Sequence, residues 1–562
     1  MFRVSRGLVL LALACGEATP PPQSAAKLEP DPATVAAPTI AGPTVESIRA
    51  DVTALSADEM EGRKPGTEGA KKAVAYIVAQ MQAIGLSPGG ENGGWTQTVP
   101  MRSVATDPTR AQLELVGPSG LRKEATSLRF GDDWVGTTYR AAGTQRIDAE
   151  LVFVGYGITA PEQKWDDYDG IDVTDKIVVV LVGDPPLKDD RFDGPALTYY
   201  GRWSYKLERA LEAGALGCII VHEDEPASYG WQVVRNSWSR ENFHVVDPGA
   251  PLPAALAVQG WITKASADAL AVRAGASLAI WHERAIDPAF APSTLPVRLV
   301  GELVTVERTL SDVNVIGELP SPRNDDQAVL ITAHWDHLGK DEHAAPGTDE
   351  IFNGAIDNAS GIASMLAVAR QLRVRSDGGR PLGRRIVFIA TTGEEEGLLG
   401  SRWYALHPGL PLTNVAGVVN LDSTNVHGTT RTVQVIGRGQ TTLERVLAEV
   451  VAAEGRSIVA DEHPESGGYF RSDHFSFAQQ GVPAIYLRGG SDMHDGGEAE
   501  GRRLGEVKAA HYHTIDDEID PSWSFAGTLQ DALTVASLVA RVADEPEMPQ
   551  WKPGSAFARG AR

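Results

Sequence analysis

From residue 312 to 543 the chain alternates short, uninterrupted apolar runs with segments whose apolar residues recur every three or four positions. The runs are QAVLITA (327–333), RRIVFIATT (384–392), VAGVVNL (415–421) and PAIYLRG (483–489). After the first, Ile362, Met365, Leu366, Ala369 and Leu372 share one helical face, and a last helix is predicted over 525–543. Strands that are apolar throughout are buried on both sides. The pattern therefore predicts an α/β fold, a mixed, mostly parallel sheet covered by helices on both faces. Ligands of such sheets gather at the carboxyl ends of the strands. Here His334, Glu394 with Glu395, and Asp422 each stand just past an apolar run.

Those residues are metal ligands by type. They fall in AHWDH (333–337), IDN (356–358), GEEEGLLGS (393–401) and NLD (420–422), with YHT (512–514) far downstream. Zinc takes imidazole nitrogen and carboxylate oxygen, and two metals sharing a carboxylate need about this many ligands. One further acid must stay free to move protons. Asp336 lies two residues beyond His334, on the same face of an extended segment, where a carboxylate can orient the imidazole. Asp357 precedes a helix and by itself would read as a cap; within the set it reads as the shared metal ligand. Glu394, Glu395 and Glu396 would ordinarily be a surface charge run. Against an apolar strand, their repulsion favours either a raised proton affinity on one or a cation between them. Asp422 ends a buried strand and needs a cation or donors. His511 and His513 compete for the last ligand position, and spacing does not choose between them.

In this order and form the motifs resemble those of the co-catalytic zinc aminopeptidase family, whose relatives include glutamate carboxypeptidase II and the non-catalytic transferrin receptor. The resemblance implies two zinc ions per chain, with His334 and Asp422 on one, Glu395 and His513 on the other, and Asp357 bridging. It makes Glu394 the general base, Asp336 the orienting carboxylate and Tyr512 a donor to the oxyanion. It also selects His513 over His511 and implies a cis peptide bond after Asp357. RSDHFSF (471–477) resembles another family segment near the substrate cleft, to which no role is assigned.

The rest of the chain fits around this. EGRKPGTEGAKKAVAYI (61–77) resembles the family's opening segment, with Val74, Ile77, Met81 and Ile84 on one helical face that ends before Gly85. VGYGITAPE (154–162) and the run at 166–185 resemble the protease-associated domain inserted in many family members. The expected organisation is a zinc peptidase domain over 44–142 and 288–545, interrupted by a β-rich protease-associated domain at 143–287. Strand-like runs at 150–157, 176–184 and 217–224 and a helix near 205–213 belong to the insertion. Its histidines, His222, His244 and His282, are isolated and read as structural.

The implied function is that of a zinc-dependent exopeptidase, an aminopeptidase hydrolysing the first bond of peptides with a free N-terminus. A carboxypeptidase or dipeptidase on the same site is one alternative, but it needs cations to hold a substrate carboxylate, and the sequence places none. A receptor-like binding protein is another, set against the complete ligand array.

At 562 residues, with 42% apolar and 22% charged, the chain is expected to fold as a soluble protein of two or three domains. Its 51 basic against 74 acidic residues, a net charge of −23, argue against nucleic acid or an anionic membrane surface as partner. Arg3 and Arg6 precede a short apolar run that ends in small residues at Cys15, a signal-peptide layout too short to span a membrane. It resembles a bacterial lipoprotein signal with Cys15 acylated, though alanine stands three residues before the cysteine where leucine is usual. The expectation is an exported protein anchored by lipid in the periplasm or at the cell surface, or otherwise secreted. Residues 16–43 then form a disordered tether, and 546–562 a C-terminal tail. The other cysteine, Cys218, sits in an apolar run, so no disulfide framework is expected.

Overall fold

The computed structural model describes residues 40–558, apart from 118–124, 190, 325, 342–343, 346, 438 and 554. Cys15, the signal segment and the tether up to residue 39 lie outside the described residues. No described helix is long and apolar enough to cross a membrane.

The sheet that carries the candidate site is centred on Ala328–His334, which pairs in parallel with Arg385–Thr391 on one side and Val415–Asn420 on the other. Val415–Asn420 pairs in parallel with Ala484–Gly489, which pairs antiparallel with Thr432–Ile436. On the opposite flank the end of Ser293–Leu319 runs antiparallel to Arg385–Thr391. The sheet is thus mixed and mostly parallel, as the apolar runs predict. All seven residues of Ala328–His334 and all six of Val415–Asn420 are buried, which is why neither alternates polar with apolar.

Helices cover this sheet. Ser360–Asp377 buries Ile362, Met365, Leu366, Ala369 and Leu372, the face read from the sequence, and packs with Ala526–Asp544 and Val45–Leu55 in one core. Glu68–Ile84 begins at Thr67, whose side chain accepts from the Ala70 amide, and ends at Gly85 with φ 77°. A left-handed cap of this kind favours glycine. Ala70 and Ala73 join Ile77, Met81 and Ile84 in its buried face, while Val74 is only half-buried.

The β-rich region is tied to the site-bearing sheet by one long strand. Residues 293–294 and 298–305 of Ser293–Leu319 pair with Gly143–Phe153, residues 305–315 with Thr96–Thr106, and residues 315–319 with Arg385–Thr391. Beyond Gly143–Phe153 the parallel strands Ile177–Leu181, Gly217–Val221 and Val258–Ile262 follow in order. Gln112–Val116 pairs with the same long strand from outside the 143–287 segment. Cys218 is buried and reduced, its thiol pushed up by burial. This region also touches the segment 470–475. Tyr199 packs on Phe475 at 5.6 Å, and Arg471 donates to Ser228 at 3.2 Å.

Phe388, fully buried on the central sheet, reports on this core. Phe388→Ala should cost about 3–5 kcal/mol in equilibrium unfolding. A cost under about 1 kcal/mol would mean that the sheet is not the stabilising element.

Candidate metal centre

The five ligand motifs, distant in sequence, meet at the carboxyl edge of the parallel strands. His334 ends Ala328–His334 and is fully buried. Its Nε2 lies 3.2 Å from Asp357 Oδ1 and 3.6 Å from Asp422 Oδ1. On the other side, His513 Nε2 lies 3.3 Å from Asp357 Oδ2 and 3.1 Å from Glu395 Oε2. The two oxygens of Asp357 therefore face different histidines. Both Nε2 atoms are buried without a hydrogen-bond partner. Ligand atoms of His334, Glu394 and Asp422 lie within 4.8 Å of one another, as do those of His334, Asp357 and Glu395.

Local chemistry explains each placement. The turn 354–359 enters at Gly354 with φ 56°, where an added Cβ would meet the Asp357 carbonyl oxygen at 2.3 Å and the His337 ring at 2.5 Å. Asp517 fixes this turn by accepting from the amides of Ile356 at 2.8 Å and Asp357 at 2.9 Å. The Asp357–Asn358 bond is cis. Asn358 reaches back to the Asp422 loop, its Nδ2 donating to the Leu421 carbonyl at 3.1 Å and its Oδ1 accepting from the Ser423 amide at 3.0 Å. Asp422 is held by a relay: Thr332 donates to Asn420 at 2.6 Å, Asn420 to Ser472 at 2.7 Å, and Ser472 to Asp422 Oδ2 at 2.6 Å. The segment 471–477 thus acquires a role that its sequence did not disclose.

Asp336 is fully buried, its carboxylate accepting from the amides of Glu394 at 3.1 Å and Glu395 at 3.4 Å. Its Oδ1 is 3.8 Å from His334 Nδ1, which lies closer, at 3.2 Å, to the Asp336 carbonyl. Asp336 therefore orients the glutamate loop more directly than the imidazole. Tyr512 stacks on the His513 ring at 3.8 Å and is 54% exposed, which places it at the open rim of the centre.

Three supporting residues are not distinguishable in the sequence. His337, the last residue of AHWDH, is buried, and its Nδ1 lies 2.7 Å from Glu395 Oε1. Asp517 hides among the acids of 516–520. Arg63 is 1% exposed and donates to the carbonyls of Trp335 (2.8 Å), Asn353 (2.6 Å), Gly354 (2.9 Å) and Leu55 (2.6 Å). It clips the loop of His334 to the turn of Asp357 without touching either side chain. The only available signal was a charged residue inside the opening motif.

Electrostatics show which charges the cluster favours. Burial opposes charge on every group. Even so, Glu394, Asp357 and Asp422 hold His334 protonated well above its usual range, and Glu395 with Asp357 raises His513 to about 10. Against the same burial the two imidazoliums keep Asp357 well below the carboxylate range, and the paired histidines keep Glu395 near 2. Glu394 goes the other way. Burial first, then Asp422 and Glu395, push it well above its usual range. Four carboxylates and two imidazoles thus converge where positive charge is required, and their N/O donor set is one that zinc accepts.

Against known proteins, the family model described as Peptidase family M28 matches residues 314–537. The chain is 32% identical over 133 residues to a probable zinc metalloprotease of Pyricularia oryzae, covering 23% of this chain and 24% of that protein. It is 32% identical over 117 residues to a vacuolar membrane protease of Yarrowia lipolytica, covering 20% and 10%. The matched part thus spans a quarter or less of these curated relatives. Among solved structures it is similar to an aminopeptidase from Aneurinibacillus sp. strain AM-1 (TM-score 0.48, 22% identity, 90% of this chain and 95% of that one). It is also similar to a zinc aminopeptidase from Bacillus subtilis (TM-score 0.40, 19% identity, 90% and 96%).

Two outcomes check the geometry. Arg63→Met should weaken zinc binding by ~10–100-fold, read by competition with a chromogenic chelator, and excess zinc should restore the bound state. Unchanged zinc affinity would reduce Arg63 to a general core residue. The second concerns His474, buried against Tyr469 and Tyr486 and held by burial at about 3 instead of 6.5. Between those values the unfolded chain binds the proton and the folded one does not. Stability from this group is therefore full above its ordinary value and falls with pH. Urea unfolding should steepen with acid by up to about 1.4 kcal/mol per pH unit relative to His474→Gln; parallel pH profiles for the two proteins would contradict the burial.

Proposed function

We propose that this chain, which carries a peptidase family M28 domain over residues 314–537, is a zinc-dependent exopeptidase acting on peptides with a free N-terminus. The observation that carries the reading is the Asp357 carboxylate, presented to His334 on one oxygen and His513 on the other. A carboxylate so placed suits two metals. His334 and Asp422 would hold one zinc, Glu395 and His513 the other, with Asp357 between them. Zinc bound there supplies Lewis acidity and lowers the pKa of water.

The chain's own groups do the rest. Glu394 ligates neither metal in this assignment and has a raised proton affinity, which suits a carboxyl that takes a proton from water and passes it to the leaving amine. Asp336 keeps the Glu394–Glu395 backbone in place through two amide bonds. His337 holds Glu395 by one oxygen and leaves the other facing His513. Tyr512, at the rim, is positioned to donate to a developing oxyanion.

The metal-dependent reading predicts two zinc ions per chain by elemental analysis and loss of peptide hydrolysis with chelator. Glu394→Gln should keep the zinc and lower kcat by ~10²–10⁴-fold, whereas Asp357→Ala should lose metal. Full activity with one zinc or none would overturn the two-metal assignment, and near-normal turnover by Glu394→Gln would remove it as base.

A further inference from the structure

We infer that Phe557, in the C-terminal segment, and Tyr199, in the 143–287 region, are positioning residues for Asp422 that act through Ser472. Zinc affinity at the His334–Asp422 position then depends on two parts of the chain that contribute no member of the proposed ligand set. The inference rests on the zinc reading above and adds what sets its metal affinity.

Ser472 is buried and its hydroxyl is committed twice, accepting from Asn420 Nδ2 at 2.7 Å and donating to Asp422 Oδ2 at 2.6 Å. Bonds between hydroxyl and oxygen are confined to about 2.5–3.0 Å, so a shift of Ser472 by about 1 Å releases the Asp422 carboxylate. The backbone around Ser472 belongs to no strand. Gly468–Phe470 is a single turn and His474–Gln479 a short helix. The amides of Phe470, Arg471 and Phe475 bond to the carbonyls of Gly467, Gly468 and Ser472, all within the segment. Such bonds shape the segment without fixing where it stands against the sheet. Downstream of Ser472, Thr391 donates to Asp473, and Ser401 meets Ser476 at 2.9 Å.

Aromatic packing supplies the remaining constraint. Phe470 and Phe475 bracket Ser472 and meet edge to face at 5.5 Å. Phe557 is buried 6.4 Å from the first ring and 5.9 Å from the second. Tyr199 stands 5.6 Å from both Phe475 and Phe557 and 6.3 Å from Phe470. Every one of the four rings therefore meets the other three, at separations where aromatic pairs attract. Both outer rings are themselves anchored. The Tyr199 hydroxyl donates to Glu208 and accepts from Gln479 Nε2 at 3.2 Å. The Leu197 amide donates to the Pro464 carbonyl at 3.1 Å, and a Cβ on Gly467 would stand 2.6 Å from Leu197 Cδ2, so the two segments abut. Ahead of Phe557, the Thr442 amide donates to the Gln550 carbonyl at 2.9 Å and the Lys552 amide to the Gln440 carbonyl at 2.9 Å. The rings thus fix the segment that carries Ser472 from the side where it has no backbone partner in the sheet.

Zinc titration of the full chain against a chromogenic chelator tests this without turnover. Phe557→Ala and Tyr199→Ala should weaken one of two bound ions by about 10-fold and leave the other in place. Phe557→Leu and Tyr199→Leu, which keep most of the apolar volume should the alanine variants not fold, should weaken the same ion less. Ser472→Ala should also weaken that ion, and adding Phe557→Ala to it should change little, because residues that act through one another are not additive. Phe153→Leu, a core substitution where Phe153 stacks on Trp281 at 4.5 Å, is the control and should leave both ions unchanged. Equal weakening of both ions, additive loss in the double variant, or the same loss in Phe153→Leu overturns the positioning role and makes Phe557 and Tyr199 core residues only. Selective weakening of one ion, in a protein that cleaves no peptide, supports the positioning role and overturns the peptidase reading.

Discussion

A buried carboxylate facing two imidazoles sets the terms for the rest of this molecule. Asp357 is almost fully removed from water, and its oxygens lie 3.2 Å from His334 and 3.3 Å from His513. Taking such a charge out of water costs several kcal/mol unless opposite charge and donors surround it. Much of the neighbourhood answers that demand. Asp517 fixes the turn by its amides, Asn358 joins the turn to the Asp422 loop, and Arg63 ties the turn to the strand end that bears His334. None of these three belongs to the proposed ligand set, and each sets where one of its members stands.

The same demand separates two adjacent glutamates. Glu395 lies between His337 and His513 and stays ionised, whereas Glu394, one residue earlier, has its charge opposed by burial first and then by Asp422 and Glu395. Two identical side chains at consecutive positions acquire opposite proton affinities because the backbone turns them toward different partners. That divergence makes one suited to holding a cation and the other to carrying a proton.

The sheet was legible because its strands are buried on both faces and so lack polar interruptions. The amphipathic helices that cover it were legible by the same logic, at Ser360–Asp377 and at Glu68–Ile84, although Val74 proved only half-buried. Among the site residues, those that directly follow strands announced themselves, since imidazole and carboxylate groups at the ends of apolar runs are costly to place there unless they bind something. His337, Asp517, Arg63 and Ser472 did not. A histidine closing a motif, an aspartate in an acidic run, an arginine in a charged segment and a serine all have ordinary readings on the surface. Only their partners give them meaning, and the partners in the candidate site lie between 50 and 291 residues away.

The cations beside Asp422 make the same point most sharply. In the sequence Arg488 lies at the end of an apolar run and Lys508 in a charged segment, 20 residues apart and unrelated by any motif. Their meeting depends on Ala484–Gly489 lying next to Val415–Asn420 and on the last turn of Gly497–His511 crossing the Ser423 loop. By itself the sequence determined which residue types would reach one edge of the sheet, because burial and periodicity are local properties of the chain. Tertiary structure alone decided which of them face one carboxylate and which brace the candidate ligands. Those outcomes depend on distances between segments that no local pattern encodes.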